Sequence, residues 1–204
     1  MIGVLHSSGM DSTAVLLWYL QKKKKVQPIF IDYGQKAAKK EWAATQKIAH
    51  LLKLPKPVRC VSKVNIEDWK HIMMNKTASK KKDYEEYFYQ EFFPNRNTFL
   101  LSVASMYCAQ HHIHQLALGI IDGGDSCYSD TNKTFVRKIN TLFNHTLQIN
   151  VKAPLIEWDK KRVADFLSEM KFPIHYTYSC NISNVPCGLC ASCIDRATTL
   201  KNSK

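Results

Sequence analysis

Short apolar runs alternate with helix-spaced segments along most of the chain, and no other feature narrows the fold as much. Residues 2–6, 26–32, 57–61, 115–121 and 147–151 are apolar runs of strand length. Residues 11–21 carry Val15, Leu16, Tyr19 and Leu20, and residues 36–52 carry Trp42, Ala43, Ile48, Ala49 and Leu52, both at helical spacing. Residues 98–111, 134–143 and 159–170 continue the helical series. Strands separated by helices predict an α/β fold, an open doubly wound parallel sheet covered on both faces, with right-handed crossovers. At 204 residues and 45% hydrophobic composition the chain can fill one core. We expect that domain over residues 1–172 and a small C-terminal module over 173–204, where core residues are few and cysteines crowd. Residues 64–93, polar, aromatic and lysine-rich, interrupt the alternation and read as a lid, insertion or loop.

The formal net charge is +12, from 29 basic and 17 acidic side chains. Such an excess favours polyanions, yet part of it sits in the lysine runs 22–25 and 80–82, which usually mark loops and helix ends, so nucleic acid is not a required partner. No apolar run approaches 18 residues, and no membrane span is expected. The opening Met1-Ile2-Gly3-Val4-Leu5 is too short and uncharged for a signal peptide, which leaves a cytoplasmic location. Cys60, Cys108 and Cys127 are scattered in apolar surroundings and read as small packing residues. Cys180, Cys187, Cys190 and Cys193 crowd together with spacings of six, two and two residues. Four thiolates so spaced can close a tetrahedral Zn²⁺ site, and four protein ligands mark such a zinc as structural.

Three further motifs fall at strand-to-helix junctions or helix starts. Ser7-Ser8-Gly9-Met10-Asp11-Ser12 follows the first strand. Small residues there let backbone N–H groups approach a phosphate, the next helix adds its positive end, and Asp11 suits a helix cap or Mg²⁺. An ordinary capped turn would read the same on these six residues alone. Asp32-Tyr33-Gly34-Gln35 ends the second strand, with Gly34 allowing a tight turn that aims Asp32 and Gln35 at the same crevice. Pro94-Asn95-Arg96-Asn97 precedes a helix that Asn97 would cap, and Arg96 offers a planar fork for phosphate or carboxylate.

These motifs, in this order and at these separations, resemble the 7-cyano-7-deazaguanine synthase (QueC) branch of the PP-loop ATP pyrophosphatases. The resemblance runs from about residue 2 to residue 197. It rests on residues 7–12, 32–35, 94–102, Pro154-Leu155-Ile156 with Lys160, and residues 177–196 with the four cysteines. It implies an adenine-nucleotide alpha-hydrolase-like fold. It also implies a cofactor-binding loop of Ser7, Ser8, Gly9, Met10, Asp11 and Ser12 for ATP with Mg²⁺, and catalytic roles for Asp11, Ser12, Arg96 and Lys160. Asp32, Tyr33, Gln35, Asn97, Asp125 and Asp130 would hold the small-molecule substrate, 7-carboxy-7-deazaguanine, whose adenylated carboxylate takes up ammonia and becomes an amide and then a nitrile.

Two places depart from the family. Ser8 stands where the family has its first glycine, which requires a backbone angle a serine can adopt, or strain. After Gly123-Gly124-Asp125, residues 128–135 keep Tyr128, Asp130 and Phe135 but not the family's cysteine, arginine and glutamate. That segment leaves open a diverged enzyme that passes the acyl group to another amine, such as a protein amine, as in QueC-like proteins associated with antiviral defence. A tRNA-modifying PP-loop enzyme, a zinc-containing RNA-binding module and a homodimer also remain open at this stage.

Overall fold

The computed structural model describes residues 1–62, 95–121, 129–181 and 183–202. The lysine-rich segment 64–93, Cys127 and Asp125 therefore lie outside the described residues. Five strands form one parallel sheet: β1 (Ile2–Leu5), β2 (Val26–Asp32), β3 (Val58–Val61), β4 (Gln115–Ala117) and β5 (Asn150–Lys152), in the order β3-β2-β1-β4-β5. The order runs outward in one direction from β1 and in the other from β4, so the topological switch point lies between these two strands. In an open α/β sheet the crevice outside the strand ends at that point is the favoured ligand site.

Alternation along β1 sorts the core. Ile2 and Val4 face a cluster with Ala14 and Val15 of α1 (Met10–Gln21) and Val163, Phe166 and Leu167 of α5 (Lys160–Glu169). Leu5 faces the opposite cluster, with Leu101 and Ala104 of α3 (Arg96–Gln110) and Ile139 and Phe143 of α4 (Lys133–Leu147). Helix α2 (Ala38–Leu51) joins the first face through Ile48. Helix α1 is buried nearly all round, whereas α4 buries a narrow stripe through Ile139 and Phe143, one turn apart. No helix among the described residues is long and apolar enough to cross a membrane.

Several boundaries differ from the sequence reading, each for a local reason. The run 115–121 forms strand only at Gln115–Ala117, and Gly119 just beyond it packs against the first turn of α1. Leu147 closes α4 rather than opening a strand, and Gln148 in the left-handed region (φ 56°) ends the helix. Asn97 does not cap α3, since that helix starts at Arg96 and Asn97 lies in its first turn. The cap comes from Asp130, whose Oδ2 accepts the Asn97 N–H at 2.8 Å, while Asn97 Nδ2 donates to the Asp130 carbonyl, also at 2.8 Å. Asp11 likewise lies inside α1, with Gly9 at the cap position and no side-chain cap bond. The tail after Pro173 contains a helix absent from the sequence reading, α6 (Ala191–Asn202).

Candidate functional site

The carboxyl ends of β1 and β4 open into a cleft of about 260 Å³. Its floor is the turn between β1 and α1. Ser8 occupies the left-handed region (φ 64°), the angle its place in the motif demands, and its hydroxyl donates to the Ser7 carbonyl. Ser12 Oγ donates back to the Gly9 carbonyl at 3.1 Å. Gly119, beyond β4, presses on this turn. A Cβ there would stand 2.7 Å from the Ser12 nitrogen and 2.8 Å from the Asp11 carbonyl carbon, so only glycine lets β4 and α1 meet.

Asp11 and Lys160, 149 residues apart in sequence, come together over the turn. Lys160 Nζ lies 2.6 Å from Asp11 Oδ2. The first residue of α5 is placed there by its own cap, the Asp159 carboxylate accepting the Arg162 N–H at 2.6 Å. Asp11 Oδ1 is buried and has no hydrogen-bond partner among the described residues. An ionised oxygen in that state is costly unless a cation or a donor reaches it, so Asp11 fits a Mg²⁺–nucleotide ligand.

The other wall carries Tyr33, Gln35, Glu41, Arg96 and Asn97. Gly34 adopts the left-handed turn the motif required (φ 89°), and its N–H donates to Asp32 Oδ1 at 3.1 Å. Asp32 does not line the cleft. It is buried, with Oδ2 accepting the Arg59 guanidinium. Asp130 does not line it either, being engaged at the start of α3. Of the three carboxylates assigned to substrate by sequence, Asp32 and Asp130 are thus engaged inside the protein, one by a guanidinium and the other by a backbone N–H. The Gln35 side chain is also engaged: Oε1 accepts the Tyr33 N–H at 3.0 Å, and Nε2 donates to the Ile31 carbonyl at 3.2 Å and to Glu41 Oε2 at 2.8 Å.

Glu41 and His6 escaped the sequence reading. Burial raises the Glu41 carboxyl to about 7, against the pull of its Gln35 hydrogen bond and of the Arg96 charge. Its only signal was an acid in the first turn of the helix after the Asp-Tyr-Gly-Gln turn. His6 follows β1 with 1% exposure, and burial holds its imidazole down at about 3.

The C-terminal segment closes the cleft. Tyr178, Ser179, Asn181, Ser192, Asp195 and Arg196 line it. The ligand atoms of Cys180, Cys187, Cys190 and Cys193 lie within 4.8 Å of one another. Cys187 and Cys193 sulfurs are 4.0 Å apart, far beyond a disulfide bond of about 2.05 Å and near the ~3.8 Å edge of a tetrahedron with ~2.3 Å metal–sulfur bonds. Burial alone would raise the Cys187 thiol, but the Leu189 and Cys190 N–H groups, each 3.4 Å from its sulfur, and the Cys180 and Cys190 thiols together outweigh it and favour thiolate. This donor set fits a metal.

The switch-point turn, the all-parallel order and the cysteine tail define a PP-loop-type α/β protein. Solved structures of the same fold include the U34-tRNA thiolase NcsA from Methanococcus maripaludis with its [4Fe-4S] cluster (TM-score 0.55, 11% identity, 99% of this chain and 67% of that one). Another is a 4-thiouridine synthetase–RNA complex with bound ATP (TM-score 0.53, 14% identity, 98% and 49%). At these identities they speak for the fold alone. The family model described as "Queuosine biosynthesis protein QueC" matches residues 2–204, and the chain belongs to this family. It is 31% identical to 7-cyano-7-deazaguanine synthase 1 of Desulfitobacterium hafniense (strain Y51), over 97% of this chain and 90% of that protein. It is 29% identical to the 7-cyano-7-deazaguanine synthase of Pyrococcus abyssi (strain GE5 / Orsay), over 95% and 89%.

Proposed function

We propose that this chain adenylates the carboxylate of 7-carboxy-7-deazaguanine with ATP and converts the acyl-adenylate toward amide and nitrile. Residues 1–172 form the catalytic unit, and residues 173–204 form a zinc module packed on it. The observation that carries the reading is the Asp11–Lys160 pair at the switch-point turn, with a buried Asp11 oxygen that has no partner among the described residues, beside the cleft. A carboxylate oxygen attacks the α phosphorus, the bond to the bridging oxygen breaks, and pyrophosphate leaves. Ammonia then attacks the acyl carbon, AMP departs with the C–O electron pair, and loss of a proton gives the amide. A second ATP adenylates the amide oxygen with release of pyrophosphate, and departure of AMP with the C–O electron pair and of both nitrogen protons leaves the nitrile.

The side chains position these groups and balance charge. Ser7 and Ser12 hydroxyls and the first amides of α1 face the pyrophosphate, while Lys160 and Arg96 offset charge as it leaves. Asp11 would hold Mg²⁺, which when bound neutralises pyrophosphate. The four thiolates would hold a structural Zn²⁺.

Purified protein given ATP, 7-carboxy-7-deazaguanine and ammonia should release AMP and pyrophosphate only when the base is present, with nitrile detected by mass spectrometry. Asp11→Asn should keep the fold and lose turnover by about a hundredfold or more, as when one charge-stabilising group is removed elsewhere. Release of ADP and phosphate would refute adenylation. An acyl-adenylate that stalls with ammonia but reacts with another amine would instead favour the diverged branch that residues 129–134 motivate.

A further inference from the structure

Among the described residues, three carboxylates line the cleft: Asp11, Glu41 and Asp195. Asp11 is joined to Lys160 on the phosphate-type turn, and Asp195 lies in α6 beside the cysteine cluster. Glu41 stands on the other wall, with Tyr33, Arg96 and Leu100 also lining that side. Its single hydrogen bond among the described residues is the one Gln35 donates to Oε2, and no donor reaches Oε1. The Arg96 charge attracts it without a hydrogen bond. Half-buried, with one neutral donor on Oε2 and Oε1 left open, the carboxylate lines the cleft ready for a ligand that brings two neighbouring N–H groups.

The neighbouring carboxylates of the sequence motifs and the Gln35 amide are already committed. Asp32 and Asp130 are engaged inside the protein, and the Gln35 amide already makes three bonds. A 2-amino-4-oxo pyrimidine ring presents a ring N–H beside an exocyclic amino group, two donors spaced for the two oxygens of a carboxylate. Adenine presents one donor beside a ring-nitrogen lone pair, which a carboxylate repels. Resting on the deazaguanine reading above, we propose that Glu41 is the specificity-determining residue for the acceptor, its carboxylate accepting the ring N–H and amino N–H of the guanine-type edge. Gln35 is then a positioning residue, a strut from the Ile31 and Tyr33 backbone that fixes the plane of the carboxylate.

Calorimetric titration of the full-length, metal-loaded protein tests this assignment with two ligands, 7-carboxy-7-deazaguanine and the same compound lacking its 2-amino group. The unaltered protein should prefer the amino compound by about a hundredfold, the scale set by a hydrogen bond to a charged group. Glu41→Gln, which replaces one acceptor by a donor, should bind both compounds about equally weakly, and Glu41→Asp should retain part of the preference. Affinity for a non-hydrolysable ATP analogue reports whether the variants keep the fold and the phosphate-type turn. A Glu41→Gln protein that still prefers the amino compound overturns the assignment. Should that variant fail to fold, the unaltered protein decides: equal binding of the two compounds overturns the assignment, and a large preference that Glu41→Asp reduces but keeps in part upholds it. If neither compound binds the unaltered protein while the ATP analogue does, the proposed substrate itself falls, and this inference with it.

Discussion

At the carboxyl end of β1 a histidine sits where water cannot reach it. His6 Nε2 is 3.2 Å from the Thr13 hydroxyl, and its Nδ1 has no partner among the described residues. Burial holds the imidazole down at about 3, against about 6.5 in an unfolded chain. The folded value is the depressed one, so the stability tied to neutral His6 is fully present above pH 6.5. It drains as pH falls toward 3, because only the unfolded chain takes up the proton. His6→Leu should remove that dependence, flattening the slope between pH 6.5 and 5 by up to ~1.4 kcal/mol per pH unit, as measured by urea melts at several pH values. Gly119 is constrained by space instead. The backbone of Asp11 and Ser12 cannot yield to a Cβ at 2.7–2.9 Å without moving the first turn of α1. Gly119→Ala should cost about 1–3 kcal/mol in denaturant melts and weaken binding of an ATP analogue in parallel. Unchanged nucleotide affinity would mean the turn adapts.

Helix α3 begins with a residue in the left-handed region, Asn95, and no side chain of its own caps it. Its first turn is held by Asp130, so the start of α4 and the start of α3 are fastened together. Asn132 caps α4 two residues later, accepting the Phe135 N–H at 2.9 Å. Asp130→Ala should lower stability by about 1–2 kcal/mol, the usual worth of an acidic cap, and should shift Asn97 in the cleft wall. Thermal melts and titration of the acceptor would show the two effects together. This cap also shows where sequence reading stops. Periodicity located the sheet strands and five helices because burial on a regular element repeats every two or every three to four residues. The small-residue turn at residues 7–12 and the cysteine spacing were legible because their chemistry is local. A cap supplied from 33 residues away leaves no local signal, and neither does a carboxylate's choice between substrate and a buried Arg59. For that reason Asp32 and Asp130 read as substrate contacts while Glu41, one acid in a lysine-rich helix start, passed unnoticed.

Across the whole molecule, the cysteine tail and the phosphate-type turn share a backbone hydrogen bond. The Tyr178 N–H donates to the Ser8 carbonyl at 2.9 Å, and Cys180 lies two residues further on. Arg196 of α6 fastens the same strip, donating to the Ile174 carbonyl at 2.9 Å and to the Thr177 hydroxyl. Ser8 is the residue held at an angle that a serine adopts reluctantly, so its peptide needs an external hold to keep that orientation. A metal bound by Cys180, Cys187, Cys190 and Cys193 would fix residues 178–180, and through them the turn that faces the nucleotide. Removing the metal should therefore reach the nucleotide site without touching it. Chelator-treated protein and Cys190→Ser should both lose metal by elemental analysis, which also identifies the ion, and both should melt at lower temperature. Affinity for an ATP analogue should fall several-fold to about tenfold, the equivalent of one backbone hydrogen bond no longer held in place. Tyr178→Phe, which keeps the backbone donor, should leave nucleotide affinity near that of the unaltered protein. Metal-free protein that stays folded and binds the analogue with full affinity would show that the turn holds its shape alone, and that the tail serves only to cover the sheet.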